Sequence, residues 1–140
     1  MGAWRTAHLS EIEPAPALRE ASFWRDWTDD PEFGRQWRSI RRYFGIRAFG
    51  VNAHQAAAGQ ELIVRHDEAS FGGQEELYVV LDGRAKFTCD GVEIELGPGD
   101  LLYAPPDVAR HAVALETPTA LLMIGATPGE SYTIPDWDRG

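Results

Sequence analysis

Cysteine is almost missing from this 140-residue chain, and its single thiol, Cys89, excludes both an intramolecular disulfide and a zinc site built on thiolates. On a strand, such a thiol belongs in the core. Basic residues are also scarce. Thirteen Lys and Arg against 22 Asp and Glu leave a net charge of −9, which disfavours DNA, RNA or an acidic lipid surface as a partner. The one basic cluster, Arg35, Arg38, Arg41 and Arg42, reads as a solvated helix face or a subunit contact. No apolar run approaches the ~18 residues of a membrane span. The opening Met-Gly-Ala-Trp-Arg-Thr-Ala-His lacks the apolar core of a secretory signal. The expectation is a cytoplasmic protein that engages neither membrane nor nucleic acid.

Aromatics are plentiful, with 5 Trp, 4 Tyr and 6 Phe in a chain of single-domain length. Trp4, Trp24, Trp27 and Trp37 all fall in an N-terminal arm, residues 1–45. Within it, Asp29-Asp30-Pro31 offers a helix start, Phe33, Trp37, Ile40 and Phe44 recur at helical spacing, and Gly45 is a stop. One short amphipathic helix is expected there. An arm this aromatic must dock on the rest of the chain or on a second copy, and a homodimer is the expected assembly.

After Gly45 the pattern changes to short alternating runs separated by turn residues. The runs are Ile46–His54, Glu61–His66, Glu76–Gly83, Arg84–Cys89, Val92–Leu96, Leu101–Ala104, Arg110–Glu116 and Thr119–Ala126. Asp90-Gly91 between two of them is a strong hairpin signal, because both central residues tolerate positive φ. Eight strands without an intervening helix predict an all-β fold, a closed antiparallel barrel or jelly roll over residues 46–128 with a tail at 129–140.

The stretch from Gly59 to Ala126 resembles the cupin family of small β-barrels. The spacing from Glu76 to Gly83 fits the second half of the family's first motif. Gly97-Pro-Gly-Asp100 and the Asp90-Gly91 hairpin follow in the usual order. Gly99 and Pro105 stand at the spacing of the second motif, and counted from Pro106 His111 falls on its ligand position, with Val108 replacing its Gly. The His-x-His of the first motif is absent. His66-x-Glu68, at the start of a lengthened loop, is the pair available to replace it.

The resemblance implies a jelly-roll barrel that binds a small molecule, with a metal held by His66, Glu68, Glu76 and His111. Two imidazoles with carboxylates suit Fe, Mn, Ni or Zn. In a strand, residues i and i+2 share a face, which puts His66 with Glu68, Glu76 with Tyr78, and His111 with Val113. Glu76 and His111 are the candidate catalytic pair; Tyr78, Phe87 and Tyr103 are the candidate pocket aromatics. His8 and His54 are expected to have no ligand role. Two functions follow: a metal-dependent enzyme on a small oxygenated substrate, or a metal-free cupin. The latter would be a ligand-binding or sensing module, or an isomerase or cyclase working by acid–base chemistry. A Ser70–His111–Asp67 triad lacks the turn sequence that a nucleophilic serine needs.

Overall fold

The computed structural model describes residues 2–15 and 27–139. Its strands are β1 (Trp37–Ser39), β2 (Gly50–Ala56), β3 (Glu61–His66), β4 (Glu75–Asp82), β5 (Ala85–Cys89), β6 (Val92–Leu96), β7 (Leu101–Ala104), β8 (Arg110–Ala114) and β9 (Thr119–Ala126). One sheet has the order β1-β2-β9-β4-β7 and the other β3-β8-β5-β6, with every pairing antiparallel. This is the expected jelly-roll barrel.

Period-two alternation builds the core. Tyr78 and Val80 of β4, Ala85 and Phe87 of β5, Ala112 and Ala114 of β8, and Leu121 and Met123 of β9 are all buried in one cluster. The fully buried alanines let the sheets approach Tyr78 and Phe87, whose ring centroids lie 5.4 Å apart. Each large apolar side chain removed from water in this way contributes roughly 1.5–3 kcal/mol. Asp90 (φ 48°) and Gly91 (φ 83°) form the β5–β6 turn in the left-handed region that the sequence pattern demands. Gly83 (φ 76°) closes the β4–β5 connection, where a Cβ would lie 2.5 Å from the Pro118 carbonyl oxygen. No other residue fits that point without moving the backbone.

The N-terminal arm departs from the helix expected over its aromatic run. Residues 31–36 are turns, β1 follows, and the helix, α1, is confined to Ile40–Phe44. Gly34 at φ 80° interrupts the helical path. The Ser39 hydroxyl accepts from the Arg42 amide at 3.1 Å and starts α1, and Gly45 at φ 73° ends it. The first sheet therefore begins inside the arm, with Trp37 opposite His54 of β2. Phe33 and Val64 form a second cluster against Trp27, Trp37 and Trp137. Ile12 and Ala15 are buried, and the Ala15 amide donates to the Trp37 carbonyl at 2.7 Å. Trp4 stays 88% exposed, and Trp24 lies outside the described residues.

A buried ion pair ties the C-terminal segment to α1. Arg41 Nε lies 2.5 Å from Asp138 Oδ2, while its two terminal nitrogens donate to the carbonyls of Asp138 and Ile46, each at 2.8 Å. The adjacent Trp137 is thereby held edge-on to Trp37 at 6.3 Å. Removing one partner of a buried pair leaves the other charge unbalanced, typically at a cost of about 3–5 kcal/mol. Asp138→Ala should lower the unfolding free energy by about that amount in urea titrations, whereas Asp136→Ala, at a fully solvated carboxylate, should change it by under about 0.5 kcal/mol.

Candidate functional site

Four ionisable side chains meet at one end of the barrel. His66 closes β3, Glu76 points inward from β4 with Tyr78, and Arg110 opens β8 opposite His66 in the strand register. Glu68 comes from the loop beyond β3, since the strand ends at His66 rather than running on. Its backbone is held by donation of the Glu68 and Ala69 amides to the Pro106 carbonyl at 2.8 and 2.9 Å, and by acceptance from the Gly73 amide at 2.8 Å. Beside Glu76, Gly125 of β9 leaves room that a Cβ would fill, 3.2 Å from Glu76 Cγ.

His66 Nδ1 donates to the Val64 carbonyl at 2.7 Å, which directs Nε2 at Glu68 Oε2, 2.8 Å away, and towards Glu76 Oε1 at 3.8 Å. Tyr78 donates its hydroxyl to Glu76 Oε1 at 2.8 Å. Arg110, with no exposed surface, donates to the Pro105 and Ala104 carbonyls at 2.8 and 3.3 Å and to Glu76 Oε1 at 3.4 Å, with Glu68 Oε2 at 3.9 Å. Burial alone would lower the His66 pKa, but hydrogen bonds to Glu68, Glu76 and the Val64 carbonyl outweigh it and raise it to about 9. Burial pushes the Glu68 carboxyl up, against the pull of His66 and Arg110. Burial likewise holds Tyr78 well above the phenol range, so it remains a donor. With the His66 proton counted, the formal charges of His66, Glu68, Glu76 and Arg110 cancel.

Three sequence assignments place residues elsewhere. His111 faces away from this cluster, because Arg110, Ala112 and Ala114 are the inward residues of β8. Its Nε2 pairs instead with Glu61 Oε2 at 2.8 Å, and the other Glu61 oxygen accepts from the Thr28 hydroxyl. Tyr103 points outward from β7, 58% exposed, and donates to Glu75 Oε2 at 2.8 Å. Phe87 is sealed in the core and does not line the site. Arg110 was the residue missed. Counted from Pro105 instead of Pro106, the second motif's ligand position falls on it, and the small alternating Ala112 and Ala114 signal the same inward register.

His66, Glu68 and Glu76 floor a cavity of about 590 Å³, with Arg110 beneath them. Its walls include Trp27, Phe33, Trp37, Phe71, Tyr132 and Trp137, and Trp27 stacks on the His66 ring at 6.1 Å. Gly50 belongs to the same wall, where a Cβ would meet the Tyr132 hydroxyl at 2.8 Å. The arm and the C-terminal segment thus complete a pocket that the barrel strands alone leave open. His54, between Phe33 and Trp37, is buried and donates Nδ1–H to the Leu62 carbonyl at 2.9 Å.

Residues 68–125, which carry Glu68, Glu76 and Arg110, match the family model described as Cupin domain. The barrel has the cupin type of fold. Among solved structures, the chain is similar to a cupin protein from Bacteroides fragilis, at 29% identity over 71% of this chain and 85% of that one, with a TM-score of 0.59. It is similar to a cupin-superfamily sugar phosphate isomerase from Silicibacter pomeroyi at 25% identity, with a TM-score of 0.58; the match covers 66% of this chain but only 59% of the isomerase. A Cupin 2 conserved barrel domain protein from Salinispora arenicola shares the fold at 17% identity, over 66% of this chain and 75% of that one, with a TM-score of 0.56. None of the curated proteins compared with the chain matches it. No helix among the described residues is long and apolar enough to cross a membrane.

Cupins often hold a metal ion, and ligand atoms of His66, Glu68 and Glu76 lie within 4.8 Å of one another, the spacing of a candidate metal site. The surrounding charges do not fit a divalent ion. It would have to displace the His66 proton, since imidazolium cannot ligate, and sit beside the fixed guanidinium of Arg110. Arg110 already opposes both carboxylates that such an ion would bind.

The imidazoles of His54 and His66 make opposite contributions to stability against pH. Burial lowers the His54 pKa to about 4. Its unfolded value is near 6.5, so its contribution is complete above pH 6.5 and is lost as pH falls towards 4, by on the order of 3 kcal/mol. His66, raised to about 9, contributes fully below pH 6.5 and loses that contribution as pH rises through 9. Urea unfolding across this range should show a stability maximum near pH 6.5. His66→Gln should flatten the alkaline arm, and His54→Asn the acid arm.

Proposed function

We propose that this protein binds a small, partly apolar molecule carrying a carbonyl or hydroxyl oxygen and moves a proton on it by acid–base chemistry, as in an isomerase. The observation that carries this reading is the convergence of His66, Glu68 and Glu76 on the floor of a largely aromatic cavity. A cleft whose titratable groups are displaced from their ordinary pKa values is a functional candidate on physical grounds. His66, protonated and fixed by the Val64 carbonyl, is the proton donor to a ligand oxygen. Glu68, whose proton affinity burial raises, is the better base. Glu76, tied by Tyr78 and Arg110, keeps both in position. The catalytic role expected of His111 passes to His66.

Similarity to a sugar phosphate isomerase supports the reaction class. The walls do not support its substrate. No Lys or Arg lines the cavity among the described residues, and a phosphate needs such donors. Aromatic rings suit a flatter and less polar body.

The bicyclic ketone 2-tetralone tests the reading. Incubated with the protein in D2O, it should exchange its α-protons faster than in buffer. Glu68→Gln or His66→Gln should lower that rate by at least about 100-fold, and His111→Ala should leave it unchanged. Binding in calorimetry without exchange would make the protein a ligand-binding module. Absence of both binding and exchange would overturn the cavity reading altogether.

A further inference from the structure

Arg110 is the largest fully buried side chain among the described residues, and it stands where the barrel brings the metal-type donors of His66, Glu68 and Glu76 together. Strand register sets Arg110 directly opposite His66, on the inward face of β8. Its guanidinium faces both carboxylates, with Nη1 3.4 Å from Glu76 and 3.9 Å from Glu68, while Nε has no hydrogen-bond partner among the described residues. An isolated charge in this position would be strongly disfavoured, because nothing would replace the water it gave up. It is tolerated because two acids oppose it, and they are tolerated because it is there. That is the balance a bound cation would otherwise supply.

We infer that Arg110 is a covalently attached substitute for a metal ion, which neutralises Glu68 and Glu76 and excludes divalent ions, and that Arg110→His converts the cluster into a divalent-metal site. The substitution removes the competing charge and adds an imidazole on the same inward face. His66, Glu68, Glu76 and the new imidazole then form a two-nitrogen, two-carboxylate set, which suits nickel or manganese. This inference deepens the functional reading only in requiring no metal in the native protein. Its outcome does not depend on whether 2-tetralone binds.

The test uses untagged full-length protein titrated with NiCl2 at pH 7.5, read by calorimetry and thermal melting. The native chain should give no saturable binding and no change in melting temperature. Arg110→His should bind one Ni2+ per chain, on the order of 100-fold more tightly than Arg110→Met, which loses the charge without gaining a donor. Arg110→Lys should stay silent, and adding His66→Ala to Arg110→His should abolish the binding. If Arg110→His is unstable alone, Ni2+ should restore a cooperative melt. The inference is overturned if the native protein or Arg110→Lys binds Ni2+ as tightly as Arg110→His. It is equally overturned if Arg110→His neither binds Ni2+ nor is stabilised by it.

Discussion

The burial of one guanidinium sets the character of this barrel. Arg110 has no exposed surface, and its opposing groups are the carbonyls of Ala104 and Pro105 and the carboxylates of Glu76 and Glu68. Each of those groups comes from a different part of the fold: the end of β7, the connection to β8, β4, and the loop after β3. Pairing a buried charge is a geometric demand as much as an energetic one, since the oxygens must arrive from several directions at once. The Pro105–Pro106 corner and the β3–β4 loop are locked to each other by the same need, through the Pro106 carbonyl that accepts from Glu68 and Ala69.

The cavity depends on a second buried pair. Arg41 and Asp138 join α1 to the C-terminal segment, and the segment carries Trp137 across to Trp37. The barrel strands supply the polar floor, whereas the arm and the C-terminal segment supply much of the aromatic wall. Chemistry and enclosure therefore rest on separate parts of the chain. Substitutions in the wall can reshape the ligand without touching the residues that handle protons, which is how one barrel type serves unrelated functions.

The fold was legible because its signals are local. Alternation in LYVV, AKF and the β9 run, Asp90-Gly91 at the hairpin and Gly83 at its obligatory turn each act within a few residues. The arm was less so. The helical spacing of Phe33, Trp37, Ile40 and Phe44 was real, but pairing of Trp37–Ser39 with β2 and the left-handed Gly34 overrode it. Of the candidates named from the sequence, His66, Glu68, Glu76 and Tyr78 lie together at one end of the barrel, while His111, Phe87 and Tyr103 lie elsewhere. Histidine drew attention to position 111, yet β8 has a period of two, so a register error of one residue exchanges the inner face for the outer.

By itself, the sequence determined the class of the fold, the absence of a disulfide framework, and which residue types were on hand for chemistry, since composition and short-range pattern are sufficient for each. Only the tertiary structure decided that Arg110 and not His111 joins Glu76, that a loop and not a strand delivers Glu68, and that tryptophans from the arm and the C-terminal segment roof the cavity. Those outcomes depend on charge balance and contact between segments far apart in the chain, and long-range neutralisation of a buried cation leaves no periodic trace in the order of the residues.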